Sequence, residues 1–237
     1  ASEFTNPNVD MERDSDPRTL GNLTYVEHPE RPSVKSFMER YSNRTAFFNG
    51  VLVPSIAHEN CRKLIMTGSA RQGAPDWGAM MAGAVGSRFA LPQVVVAGAS
   101  YPGGYGVYVT RTGTQGQLQS MLNGEILGWS DAPVGAPSHD AEAAMDAYLA
   151  ARAKSAAAKA TEAREKALKE VFASSLGRGL QLKDIQDQLS WTTTGDTEEQ
   201  NDFAVSLLGL DISRVVTLQY YNSWDSHTAN DTTQSGS

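Results

Sequence analysis

Apolar positions along this chain fall into two periods. The run TAFFNGVLV at 45–53 and the run QVVVAGAS at 93–100 have the length and near-continuous apolarity of strands covered on both faces. GVYVTRT at 106–112 and RVVTLQYY at 214–221 read as further strands, and LTYV at 23–26 as a short one. Elsewhere the period lengthens to that of a helix. In SVKSFMERY at 33–41, Val34, Phe37, Met38 and Tyr41 share one face, with Ser33 as the N-cap. PDWGAMMAGAVG at 75–86 predicts a helix with Pro75 in its first turn, and TEEQNDFAVSLLGL at 197–210 predicts another. A short helix is expected to begin near His58. Strands alternating with helices predict an α/β fold with a largely parallel sheet flanked by helices.

Polar stretches set the expected organisation. Residues 1–22, rich in Asn, Asp, Pro and Ser, read as an arm or loop, 23–230 as a single α/β domain, and 231–237 as a polar tail. A long helical segment, 139–178, is inserted in or braces that domain. From Asp140 to about Leu176 the composition turns to Ala, Lys and Glu, which predicts one helix of about 55 Å at 1.5 Å per residue. Glu162 with Lys166 and Glu165 with Lys169 support it at i,i+4 spacing. Met145, Leu149, Leu168, Val171 and Phe172 give it a narrow apolar edge, and Gly177 and Gly179 are expected to end it. No heptad holds, so a bracing surface helix is expected rather than a coiled coil. No internal repeat occurs.

Composition narrows the function classes. With 40% apolar and 20% charged residues, the chain reads as globular. A net charge of −7 without a basic run argues against a nucleic-acid partner. The single cysteine, Cys61, excludes an internal disulfide framework. No apolar run approaches the roughly 20 residues of a membrane-spanning helix. The opening ASEFTNPNVDMERDSDP is polar and acidic and carries no signal-peptide pattern; it reads as a mature end or as a cut within a longer chain.

Two constellations have candidate chemistry. His58, Glu59, Cys61 and Arg62 crowd the start of a helix, where backbone N–H groups and a fixed guanidinium can receive a phosphate, sulfate or carboxylate. The plainer reading has Glu59 complementing the helix dipole while His58 caps or packs. Asp225 and His227 follow the last strand, at the carboxyl end where open α/β sheets place ligands. A carboxylate and an imidazole so spaced can share a divalent cation, or serve as ordinary loop residues. YPGGYG and RTGTQGQ lack the Lys-Ser/Thr of a phosphate loop, and no G-x-S-x-G elbow is present. Asn22, Asn43 and Asn230 head glycosylation triplets, which matter only in a eukaryotic secretory host.

HENCRKLIMTG, with PDWGAMMAGAVG and LPQVVVAGASYPG after it, resembles a bacterial family known as domain of unknown function fifteen-oh-one. SWDSHTAN is similar to that family's G-[FW]-D-[ST]-H loop, and the likeness spans roughly residues 44–230 in scattered blocks. The resemblance implies twin-arginine export, a periplasmic or extracellular location and an alkaline-phosphatase-like fold in the alkaline phosphatase/sulfatase superfamily. Sulfatases carry C-x-P-S-R before a short helix ending in Thr-Gly, the nucleophile nine positions before that Thr. Counting back from Thr67 puts His58 at the nucleophile's position and Arg62 on the sulfatase Arg. Imidazole cannot become the hydrated aldehyde sulfatases use, so that route to sulfate-ester hydrolysis is excluded. Ser55 could replace it only with a rearranged loop. The superfamily's first metal-binding Asp falls before this chain and its later ligands after it, so a complete two-metal site is not expected from these residues.

The resemblance therefore implies part of an exported, metal-dependent hydrolase-like protein acting on a phosphate- or sulfate-like ester. Asp225 and His227 would hold a divalent metal (zinc, or manganese or calcium), and His58 and Arg62 would meet a small anionic substrate. The alternative is a non-catalytic structural or binding module on the same fold, in a cell-surface or export assembly. Its partner would be the remainder of its own polypeptide or another protein. A small-molecule carrier has no specific feature behind it.

Overall fold

Gln93, Val94 and Val95 are buried on every side, which fixes the middle of the larger sheet. In the computed structural model, which describes residues 15–29, 31–48, 51–55, 57–113, 117–122, 137–189, 191 and 196–220, the chain divides into two units. One comprises Ala1–Leu52 with Tyr221–Ser237, the other Val53–Tyr220.

In the first unit, β1 (Asp16–Leu20) and β2 (Leu23–Glu27) form an antiparallel hairpin through Gly21, whose φ of 60° suits the turn. β1 lies inside the stretch read as an arm. α1 (Pro32–Tyr41) follows, capped at Arg31 rather than at the expected Ser33, because Pro32 takes the first helical position. Leu23, Tyr25 and Met38 make a small core. Val34, Phe37 and Tyr41, expected to share the buried face with Met38, are exposed.

The expected strand at 45–53 does not form among the described residues. Residues 45–48 and 51–53 have no regular structure, and Phe48 and Leu52 are 85% and 84% exposed. Apolarity gave that segment the look of a buried strand. A strand also needs a partner, and no described strand pairs with this segment.

The second unit begins with α2 (His58–Thr67), closed by Gly68 at φ 65°, then α3 (Trp77–Val85). Pro75 stands one residue before the cap of α3, and Asp76 is the cap itself. β3 (Gln93–Val95) leads through a 3-10 turn (Gly103–Tyr108) to β4 (Val109–Arg111). Only the last part of the expected 106–112 strand is therefore extended. After α4 (Gln117–Leu122) come α5 (His139–Ala158) and α6 (Ala163–Ile185), then α7 (Thr197–Gly209) and β5 (Val215–Thr217). The sheet order is β4-β3-β5, all parallel, so the architecture is a mixed α/β one with a small parallel sheet flanked by helices.

Glycines let α3 lie close to its neighbours. A methyl group on Gly83 would come within 2.3 Å of the Tyr105 ring, and one on Gly86 equally near Tyr108. Beneath the sheet, Val94, Leu182, Leu189, Phe203, Leu207 and Ile212 form the core, with Trp191 tilted on Phe203 at 5.1 Å between ring centroids. Full burial of a side chain such as Phe203 or Leu207 contributes about 1.5–3 kcal/mol.

The single long helix expected over 140–176 is a hairpin. α5 ends at Ala158, Glu162 adopts an extended ψ of 136°, and α6 runs back beside α5 through Gly177 and Gly179 to Ile185. Lys183 donates to Glu142 (2.5 Å) and Asp146 (2.8 Å) across the pair. The contact face holds Ala153 and Ala157, whereas Met145, Leu149, Leu168 and Phe172 are exposed. Alanines let two helices approach; the larger apolar residues turn outward.

Candidate functional site

The start of α2 is built by a short return of the chain. Ser55 Oγ accepts the Ala57 N–H at 3.2 Å, and the Cys61 N–H makes the first helical bond to Ala57 O at 2.9 Å. The Cys61 thiol donates to Ser55 O at 2.8 Å, so the cysteine ties the helix to the segment before it. Ala57 in the cap position has no side chain to satisfy the first-turn N–H groups. Glu59 complements the dipole from an exposed position, and Arg62 lies 3.7 Å from it. Such an exposed pair holds its partners weakly. His58 is also exposed. The structure thus brings His58, Glu59 and Arg62 to one solvent-facing helix turn and takes Cys61 away from it.

At the other end of α2, the Thr67 hydroxyl lies 2.7 Å from Lys63 O and 2.8 Å from Ser69 O and accepts the Ser69 N–H at 3.1 Å. The Thr-Gly pair therefore shapes the turn that leaves the helix.

A second cluster lies at the carboxyl edge of the sheet. Asp76 is 2% exposed, and its carboxylate accepts from the Ala79 N–H (2.7 Å), the Tyr101 N–H (2.7 Å) and the Ser100 hydroxyl (3.3 Å). One side chain thereby caps α3 and holds the loop after β3. That loop turns at Gly98, φ 88°, where a methyl group would come within 2.9 Å of Gln219 Oε1. Arg111, at the end of β4, donates to Gly98 O at 3.2 Å. After β5, the Gln219 N–H points to Gln200 Oε1 at 3.5 Å, and the Tyr220 hydroxyl donates to Asn201 Oδ1 at 2.9 Å. Gln93, wholly buried, donates from Nε2 to Thr217 Oγ1 at 3.2 Å, while its Oε1 has no hydrogen-bond partner among the described residues.

Asp225 and His227 lie outside the described residues. Among the described residues no three His, Cys, Asp or Glu side chains converge as metal donors, and no helix is long and apolar enough to cross a membrane. A cavity of about 560 Å³ opens at the base of the hairpin, lined by Glu142, Asp146, Lys183 and Asp184 on its polar side and by Leu122 and Leu180 on its apolar side. Burial pulls the Lys183 pKa down, but the hydrogen bonds and charges of Asp146 and Glu142 outweigh it and raise the value above the ordinary one.

Sequence reasoning missed Asp76 and Arg111. An Asp following Pro and preceding an apolar helix is a legible cap signal, and assigning Pro75 to the first turn displaced it. Arg111 carries no local signal, since its partner lies thirteen residues away on another loop. Set against protein-family models, curated proteins and solved structures, the chain matches none.

Proposed function

We propose that this chain forms part of an exported, metal-dependent hydrolase-like protein of the alkaline phosphatase/sulfatase kind, acting on a phosphate- or sulfate-like ester. One observation carries the reading: the strands β4-β3-β5 are all parallel, and Asp225 and His227 come after the last of them in the sequence. A carboxylate oxygen and an imidazole nitrogen suit zinc or manganese better than calcium, and they are two of the four donors a zinc site takes. The metal, when bound, would stabilise charge on the attacking and leaving oxygens of the ester. Arg62 and the uncapped first turn of α2 would receive the anionic group, since the weak Glu59 contact leaves the guanidinium free to turn to a ligand. His58 would contact the same group through its imidazole. The Asp76 cap holds the loop that frames the carboxyl edge.

The chain also fits a non-catalytic module, because His58 stands at the position where a sulfatase-like protein carries its nucleophile. Metal analysis separates the two. The intact protein to which this chain would belong should retain a stoichiometric divalent ion, measured by plasma mass spectrometry, and Asp225→Ala in it should lose the ion. A metal-free wild type, or an Asp225→Ala protein with unchanged metal content, overturns the hydrolase reading and leaves the module.

A further inference from the structure

Charge on this chain is segregated. Residues 147–172, the outer half of the α5–α6 hairpin, carry six Lys and Arg against three Glu, net +3 in a chain of net −7. Of the six, only Lys166 and Lys169 are in ion pairs among the described residues, with Glu170 and Glu165. Arg152 donates to the Tyr148 hydroxyl at 3.2 Å instead.

The apolar side chains follow the same segregation. Met145, Tyr148, Leu149 and Arg152 recur at helical spacing, forming one stripe on a flank of α5 that the C-cap Lys159 continues. Met145, Tyr148 and Leu149 are all exposed, as are Leu168 and Phe172 on α6. Leu149, Arg152, Lys169 and Phe172 line one shallow groove between the helices, which joins the two sets into a single face.

We propose that this face docks on an anionic lipid bilayer, lying flat in the headgroup layer. The argument is one of charge and placement. Arg152 sits beside the apolar stripe's Leu149, and Lys159 stands at the end of the stripe as the C-cap of α5. The core of a protein interface is depleted of lysine, whereas a bilayer surface lets long basic side chains extend from an apolar stripe to the phosphates. An anionic surface attracts the +3 outer half of the hairpin, so charge draws that end of the hairpin onto the surface. The inference is independent of the proposed hydrolase function.

Vesicle co-sedimentation of the full chain tests it, using phosphatidylcholine with and without about 30% phosphatidylglycerol. The wild type should sediment with the anionic vesicles only and be released by high salt. Arg152→Glu/Lys159→Glu should weaken binding at least about tenfold. Leu149→Asp/Phe172→Asp should weaken it as well, and circular dichroism should report an intact fold because all four positions are exposed. Arg71→Glu/Arg214→Glu makes the same change in net charge elsewhere and should leave binding unaltered. Absence of binding to anionic vesicles, or an equal loss in that control pair, overturns the proposal. Unaltered binding by Arg152→Glu/Lys159→Glu overturns it too.

Discussion

At the scale of single residues, Asp76 ties α3 to the loop after β3. Its buried carboxylate serves two backbone N–H groups and a hydroxyl. Removing it leaves those donors unsatisfied, so Asp76→Ala should cost about 2–4 kcal/mol in urea unfolding. Asp76→Asn keeps one acceptor oxygen and should cost about half as much. A loss below about 0.5 kcal/mol for the alanine variant would mean that water replaces the carboxylate. The same scale shows what residue patterns can convey. His58, Glu59 and Arg62 were legible as a group because a helix start gathers consecutive side chains. Asp76 with Ser100, or Arg111 with Gly98, was not, because the chain between them must first fold.

Among the elements, the α5–α6 hairpin departs furthest from the reading of its sequence. Alanine favours helix wherever it stands, so composition marks the helical stretch without marking its break. What holds the return is distant: Lys183 lies 37 residues from Asp146 and 41 from Glu142. Lys183→Met should destabilise the chain by roughly 1–2 kcal/mol at neutral pH, since two partly buried carboxylates lose their cation. The pH dependence has a definite sign. A lysine whose folded pKa is raised contributes fully below its unfolded value of 10.5, and the contribution disappears as pH rises through the folded value. The gap between wild type and Lys183→Met in chemical denaturation should therefore stay level from pH 7 to pH 9 and narrow above 10.5. A gap that widens there would show that the lysine is not held as an ammonium.

For the whole molecule, the two units differ in what can sustain them. Among the described residues, the second has an eight-residue apolar core with six further side chains packed on it, and the first a core of three. A core so small rarely holds a fold by itself. Residues 53–220 expressed alone should therefore melt cooperatively with their helical signal intact, while residues 1–52 alone should show none of the dispersion of a folded domain. A gradual, non-cooperative melt of 53–220 would show that its core depends on the rest of the chain.

By itself the sequence determined the segments whose neighbours in the chain share their environment. Those are the buried run around Val94, the amphipathic α7, the helix after His58 and the α/β class that their alternation implies. Period and apolarity are local quantities, so a one-dimensional reading recovers them. The tertiary structure alone decided that TAFFNGVLV stays unpaired among the described residues, that the Ala-rich stretch folds back on itself, and that Asp76 joins α3 to the loop after β3. Each depends on whether a partner far along the chain arrives in register. Pairing and close packing are properties of two segments at once, and no single stretch contains them.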